Sequence, residues 1–117
     1  MKDLDGFIIA LDFDGTVVTH RYPSIGDPVP GAIEKLQKFQ ERGASIVLNT
    51  MRSGATLVQA VSYLQLNGIE LYGVNEHPTQ HSWTKSPKVF AHIYIDDSAY
   101  GCPTTKEGYV DWSRVNL

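Results

Sequence analysis

Cysteine is almost absent from this sequence: of 117 residues, only Cys102 carries a thiol. A lone cysteine has no partner within the chain, so no disulfide framework is expected, and a cytoplasmic location fits this usage better than an oxidising compartment. Long apolar runs are missing too. The longest, Phe7–Leu11, falls far short of the roughly 20 residues a membrane-spanning helix needs. Acidic Asp3 and Asp5 also argue against a signal peptide at the start. No run of Lys or Arg occurs, and ten basic residues against thirteen acidic ones leave a net charge of −3 and a pI near 5.7. That balance gives no electrostatic basis for attachment to nucleic acid or to an anionic membrane. Internal repeats, low-complexity tracts and interdomain linkers are absent as well. A single domain over residues 1–117 is expected, long enough to bury roughly two thirds of its unfolded surface without a metal or disulfide staple.

What is present is a strict alternation of apolar runs and amphipathic stretches. Phe7–Leu11 is continuous and apolar, as in a strand buried on both faces, and it ends in Asp12-Phe13-Asp14-Gly15. From Ala32, apolar Ile33, Leu36 and Phe39 recur every third position among charged and amide side chains, which predicts a helix begun near Pro30 and stopped at Gly43. Ile46–Leu48 reads as a second strand. A second helix follows with Leu57, Ala60, Val61 and Leu64 on its buried side and Gly68 at its end. Ile69–Val74 and Ile93–Ile95 supply a third and a fourth strand, the latter running straight into Asp96-Asp97. Between them lies a polar loop, Asn75–Pro87. The last stretch, from Ser98 onward, reads as loop with one edge strand around Tyr109–Trp112. This is the grammar of a Rossmann-like α/β fold, a parallel sheet flanked by helices. Ligands gather at the carboxyl ends of such strands. Three of the four end there in polar clusters: Asp12–Gly15, Asn49–Arg52 and Asp96-Asp97.

Alternation along an extended strand sends the Asp12 and Asp14 carboxylates to one side and Phe13 to the other. Close carboxylates repel unless a cation or proton intervenes, so the pair reads as a divalent-metal site, an acid/base dyad, or both. Gly15 permits a sharp turn, after which the amides of Gly15 and Thr16 can face an anion. Thr50 offers a hydroxyl at the end of the second strand, with Asn49 and Arg52 beside it as candidates for substrate phosphate. Lys88, with Lys85 as competitor, offers a compact positive charge, and Asp96 and Asp97 a second acidic pair. Together these are parts for phosphoryl transfer. His77 and His81 have the spacing of helical metal ligands, but Pro78 opposes a helix and no Cys or third His is near, so zinc is not indicated.

Asp12-Phe13-Asp14-Gly15-Thr16, the strand-terminal Thr50, Lys88 and Asp96-Asp97, in that order, resemble the four motifs of the haloacid dehalogenase (HAD) superfamily. The flap segment His20–Gly26 further resembles a group of very small HAD hydrolases. The resemblance implies an Mg²⁺-dependent phosphatase in which Asp12 attacks phosphorus and Asp14 serves as general acid and base. It also implies that Asp12, the Asp14 carbonyl, Asp96 and Asp97 hold the metal, while Thr50 and Lys88 bind phosphoryl oxygens. An aspartate at position 14 favours phosphate esters over carbon–halogen bonds. A receiver domain uses similar parts, but its acidic pair comes first and its phospho-accepting aspartate later, the reverse of the order here. A HAD-like protein serving only as a phosphate- or partner-binding subunit is the remaining alternative.

HAD enzymes usually carry a cap domain after the first motif or before the motif lysine. Gly15–Val29 spans fifteen residues and Asn75–Pro87 thirteen, neither enough for a domain. A capless protein with a short flap over Val17–Pro28 is therefore expected. An open site must take a large phosphorylated substrate or borrow a wall from a neighbouring subunit, and the balance tips to a homo-oligomer.

Overall fold

A computed structural model describes residues 1–117. Four short strands, β1 (Ile8–Leu11), β2 (Ser45–Leu48), β3 (Leu71–Val74) and β4 (Ile93–Ile95), form one parallel sheet in the order β3-β2-β1-β4. Two helices, α1 (Ala32–Glu41) and α2 (Gly54–Leu66), connect β1 to β2 and β2 to β3. The architecture is Rossmann-like, and no cap domain interrupts it.

Strand order explains the two faces. The chain steps from β1 to β2 to β3 in one direction, so right-handed crossovers put both helices on the same side, and the step to β4 must pass over the other. Ile9, Leu11 and Phe13 accordingly join Leu36 and Phe39 of α1 and Ala60 and Leu64 of α2 in the main core. Ile8, Ala10 and Val47 face the opposite way and meet Val89 of the crossing segment. That segment carries no α-helix. Its shape is held by buried Gln80, whose amide donates to the carbonyls of Ser86 and Lys88 and accepts from the Phe90 N–H. β1 is buried along its whole length, which is why its sequence shows no alternation.

The flap is a short doubled-back segment. Thr19 N–H donates to Asp27 O at 2.8 Å and Val29 N–H to Val17 O at 2.9 Å, while Val18 bridges Pro28 in antiparallel fashion. The edge strand expected around Tyr109–Trp112 does not form. Gly101, Pro103 and Gly108 break the segment into turns, leaving one isolated bridge, Thr104 to Val110, and a 3₁₀ turn at Trp112–Arg114. Val110, Trp112 and Val115 are nonetheless buried in the main core, and Lys35 of α1 fixes the end by donating to Val115 O at 2.6 Å.

Candidate active site

The parallel register of β1 and β4 brings two remote acidic segments together. Leu11 pairs with Ile95, and Asp12 N–H donates to Ile95 O at 3.0 Å, so Asp12 and Asp96 leave the sheet side by side. Thr16 joins them. Its hydroxyl donates to Asp12 Oδ2 at 2.8 Å and accepts from the Asp97 N–H at 3.2 Å. One carboxylate oxygen from each of Asp12, Asp96 and Asp97 then lies within 4.8 Å of the others. Burial pushes the Asp12 carboxyl from its usual 3.8 up to about 8, helped by the charges of Asp96 and Asp97 and opposed by the Thr16 hydrogen bond. Three hard oxygen donors crowded this way suit a small divalent cation such as Mg²⁺, and without one a proton must relieve the repulsion.

Gly15 makes this packing possible. It adopts a positive φ of 83°, and a Cβ there would collide with His20 Nε2 and Asp97 Oδ2. Those two atoms bond each other at 2.9 Å, tying the flap to the acidic cluster. The amides of Gly15 and Thr16, expected to face an anion, are instead turned inward and donate to Val18 O and Phe13 O. The N–H groups of Phe13 and Asp14 have no acceptor within the protein and are the ones left to meet a ligand.

Phe13 is fully buried on the helix side, as alternation requires, but Asp14 does not join Asp12. Chain direction changes after Phe13, and Asp14 accepts from Arg52 Nε at 2.8 Å and Nη2 at 2.7 Å. Its side chain is thus outside the acidic cluster. Arg52, expected at the substrate phosphate, is only 2% exposed. Besides Asp14 it donates to the carbonyls of Pro23, Ser24 and Thr56, and its guanidinium sits 5.0 Å from the Phe13 ring and 5.2 Å from the Tyr22 ring. All five of its N–H donors are occupied, and none is left for a ligand.

Thr50 stands at the end of β2, where its hydroxyl accepts from Arg52 N–H at 3.2 Å and its own N–H donates to Asn75 Oδ1. It shapes the turn into α2, and it makes no hydrogen bond to the acidic residues. Asn49 N–H donates to Leu11 O, extending the β1–β2 ladder, and its side chain has no partner within the protein. Lys88 is exposed and forms no ion pair with Asp12, Asp96 or Asp97. Its ammonium lies 5.6 Å from the Tyr94 ring. Tyr94 pairs with Ala10, two residues before Asp12, so alternation puts Lys88 on the same face of the sheet as the Asp12 side chain. Lys85 is exposed as well.

Two contributors escaped sequence reasoning. Val110 N–H donates to Gly15 O at 3.0 Å, and Trp112 Nε1–H to Thr16 O at 2.7 Å, so the C-terminal segment props the Asp12–Thr16 loop from behind. Periodicity carries no trace of either contact. None of the molecule's cavities is lined by Asp12, Asp96 or Asp97, and all three are half-buried.

Against known proteins, no protein-family model and no curated protein matches the chain. A solved structure of a conserved protein from Bacteroides thetaiotaomicron is similar to it with a TM-score of 0.79 and 36% identity, over 93% of this chain and 85% of that one. The chain belongs to the family of that conserved protein. The two chains share their fold over most of their length. No helix of the chain is long and apolar enough to cross a membrane.

Proposed function

We propose that this protein is an Mg²⁺-dependent phosphomonoester hydrolase of the HAD type, cytoplasmic as its single cysteine implies. One observation carries the reading: Asp12, at the end of the central strand, shares a 4.8 Å cluster with Asp96 and Asp97 and is bonded by Thr16. Asp12, Asp96 and Asp97 are the residues that would hold the metal, with the Asp14 carbonyl as a further donor. A bound Mg²⁺ supplies positive charge that keeps the Asp12 carboxylate ionised and offsets charge on the phosphoryl oxygens.

The protein's own groups then divide the work. Asp12 attacks phosphorus, the bond to the leaving oxygen breaks, and Asp14, having first taken up a proton, gives it to that oxygen. The free N–H groups of Phe13 and Asp14, with Asn49, receive phosphoryl oxygens. In the second half Asp14 takes a proton from water as it attacks the aspartyl-phosphate, releasing inorganic phosphate and restoring Asp12. Lys88 has a flexible stem and lies on the Asp12 face, so we assign it to the phosphoryl charge once substrate is bound.

The alternative, a phosphate-binding or partner-binding subunit without turnover, is favoured by the occupation of both Asp14 oxygens by Arg52. Hydrolysis of an aryl phosphate with and without Mg²⁺ separates them, comparing wild type with Asp12→Asn. Mg²⁺-dependent turnover lost in the variant is expected. Equal turnover by both proteins would remove Asp12 as nucleophile, and no turnover across a broad ester panel would favour the binding subunit.

A further inference from the structure

We propose that Arg52 is a positioning residue that fastens the flap over Asp14, so that flap closure and the placement of the acid/base side chain are one event; its catalytic half rests on the phosphatase reading above. A surface arginine that met substrate would keep donors free and its head in water. Arg52 does neither. Two of its N–H groups hold Asp14, two hold the flap carbonyls of Pro23 and Ser24, and one holds Thr56 O in the first turn of α2. Bidentate carboxylate bonds of 2.7 and 2.8 Å are the strong, plane-defining kind that lysine cannot reproduce.

Stacking adds a third attachment, because the same guanidinium lies between buried Phe13 and exposed Tyr22 of the flap. No other cation pairs with Asp14; apart from the backbone bonds that tie Val17 and Val18 to Phe13 and Gly15, the flap's other side-chain link to the acidic cluster is the His20–Asp97 pair. A flap that lifts must therefore strip Arg52 of two acceptors and a ring. Asp14 in turn keeps its orientation only while the guanidinium plane stays fixed.

Two arms test this, and only one needs turnover. In the first, hydrogen exchange is read at the flap amides of Thr19, Ser24 and Asp27 in wild type, Asp14→Asn and Arg52→Lys, without substrate. Asp14→Asn keeps one acceptor oxygen for the buried guanidinium, and unchanged exchange in β1 and β2 is the check that each variant keeps the fold. Flap exchange about tenfold faster in Asp14→Asn, with β1 and β2 amides unchanged, is expected from the loss of a charge-assisted bidentate pair. Unchanged flap exchange would overturn the coupling. In the second arm, Tyr22→Leu and Arg52→Lys are compared on aryl and alkyl phosphates. A misplaced acid hurts the poorer alkoxide leaving group more, so the loss in kcat should be about tenfold larger for the alkyl ester, as in Asp14→Asn, with KM little changed. Equal losses on both esters would overturn the positioning role. Absence of all Mg²⁺-dependent hydrolysis in wild type would refute the phosphatase reading and with it the catalytic half, while the exchange arm still decides whether Arg52 fastens the flap.

Discussion

The indole of Trp112 donates to the carbonyl of Thr16 at 2.7 Å, joining residues 96 positions apart. Thr16 is the side chain that links Asp12 to Asp97, so the hydrogen bond sets the loop on which the acidic cluster depends. Trp112 is 1% exposed, so its donor lies away from bulk water. Trp112→Phe keeps most of the apolar contact but leaves a buried carbonyl unpaired, which costs about 1–3 kcal/mol. Denaturant titration should show that loss together with weaker Mg²⁺ binding. Undiminished stability in the variant would mean the C-terminal segment does not prop the loop.

Gly15 is irreplaceable for two separate reasons, its positive φ and the collision any Cβ would make with His20 and Asp97. Gly15→Ala should therefore cost more than the roughly 1 kcal/mol of the backbone conformation alone. Asp97 is the atom group pushed aside, so Mg²⁺ affinity should fall along with stability. Calorimetric titration of the folded variant checks this, and a normal affinity would show that Asp97 can yield without harm to the cluster.

Much of this was legible in the chain, and the rest for physical reasons was not. Phe7–Leu11 announced β1 because a strand buried on both faces is apolar throughout, and Leu36, Phe39, Ala60 and Leu64 announced the helices because burial on one side imposes their period. Asp12, Asp96 and Asp97 could be grouped because parallel strands place their carboxyl ends at one edge. The partner of Asp14 could not. Alternation sends it beside Asp12 only if the strand continues, and the turn at Gly15 ends it, delivering the carboxylate to Arg52 instead. Nor could the hydrogen bonds by which Val110 and Trp112 hold the Asp12–Thr16 loop, because both residues join the main core from an aperiodic segment.

Asp96 and Asp97 differ in surroundings although adjacent. Asp96 Oδ1 accepts from the Ser98 N–H at 2.8 Å, whereas Asp97 is 10% exposed and bonded to His20. Removing either carboxylate takes one of three anionic donors from the cluster, so Asp96→Asn and Asp97→Asn should each weaken Mg²⁺ at least about tenfold. Only Asp97→Asn should also speed exchange at the Thr19 amide, since it alone loosens the flap. Identical flap behaviour in the two variants would show that the His20 contact is idle.

The raised Asp12 carboxyl gives the metal-free protein a pH dependence of definite sign. Folded Asp12 titrates near 8 and unfolded aspartate near 3.8, so between these values the folded state binds more protons than the unfolded one. Stability from this group is fully present below pH 3.8 and is lost as pH rises through about 8, by an amount on the order of a few kcal/mol. Thermal melts of the chelator-treated protein should therefore show Tm falling from pH 5 to pH 8.5. Asp12→Asn has no proton to lose at that position, so its Tm should fall much less over that range than the wild type's. Mg²⁺ competes with the same proton, so saturating metal should raise Tm most at the alkaline end and flatten the wild-type profile too. A metal-free Tm that climbs with pH over this interval would mean that Asp12 is not held protonated by burial and its acidic neighbours.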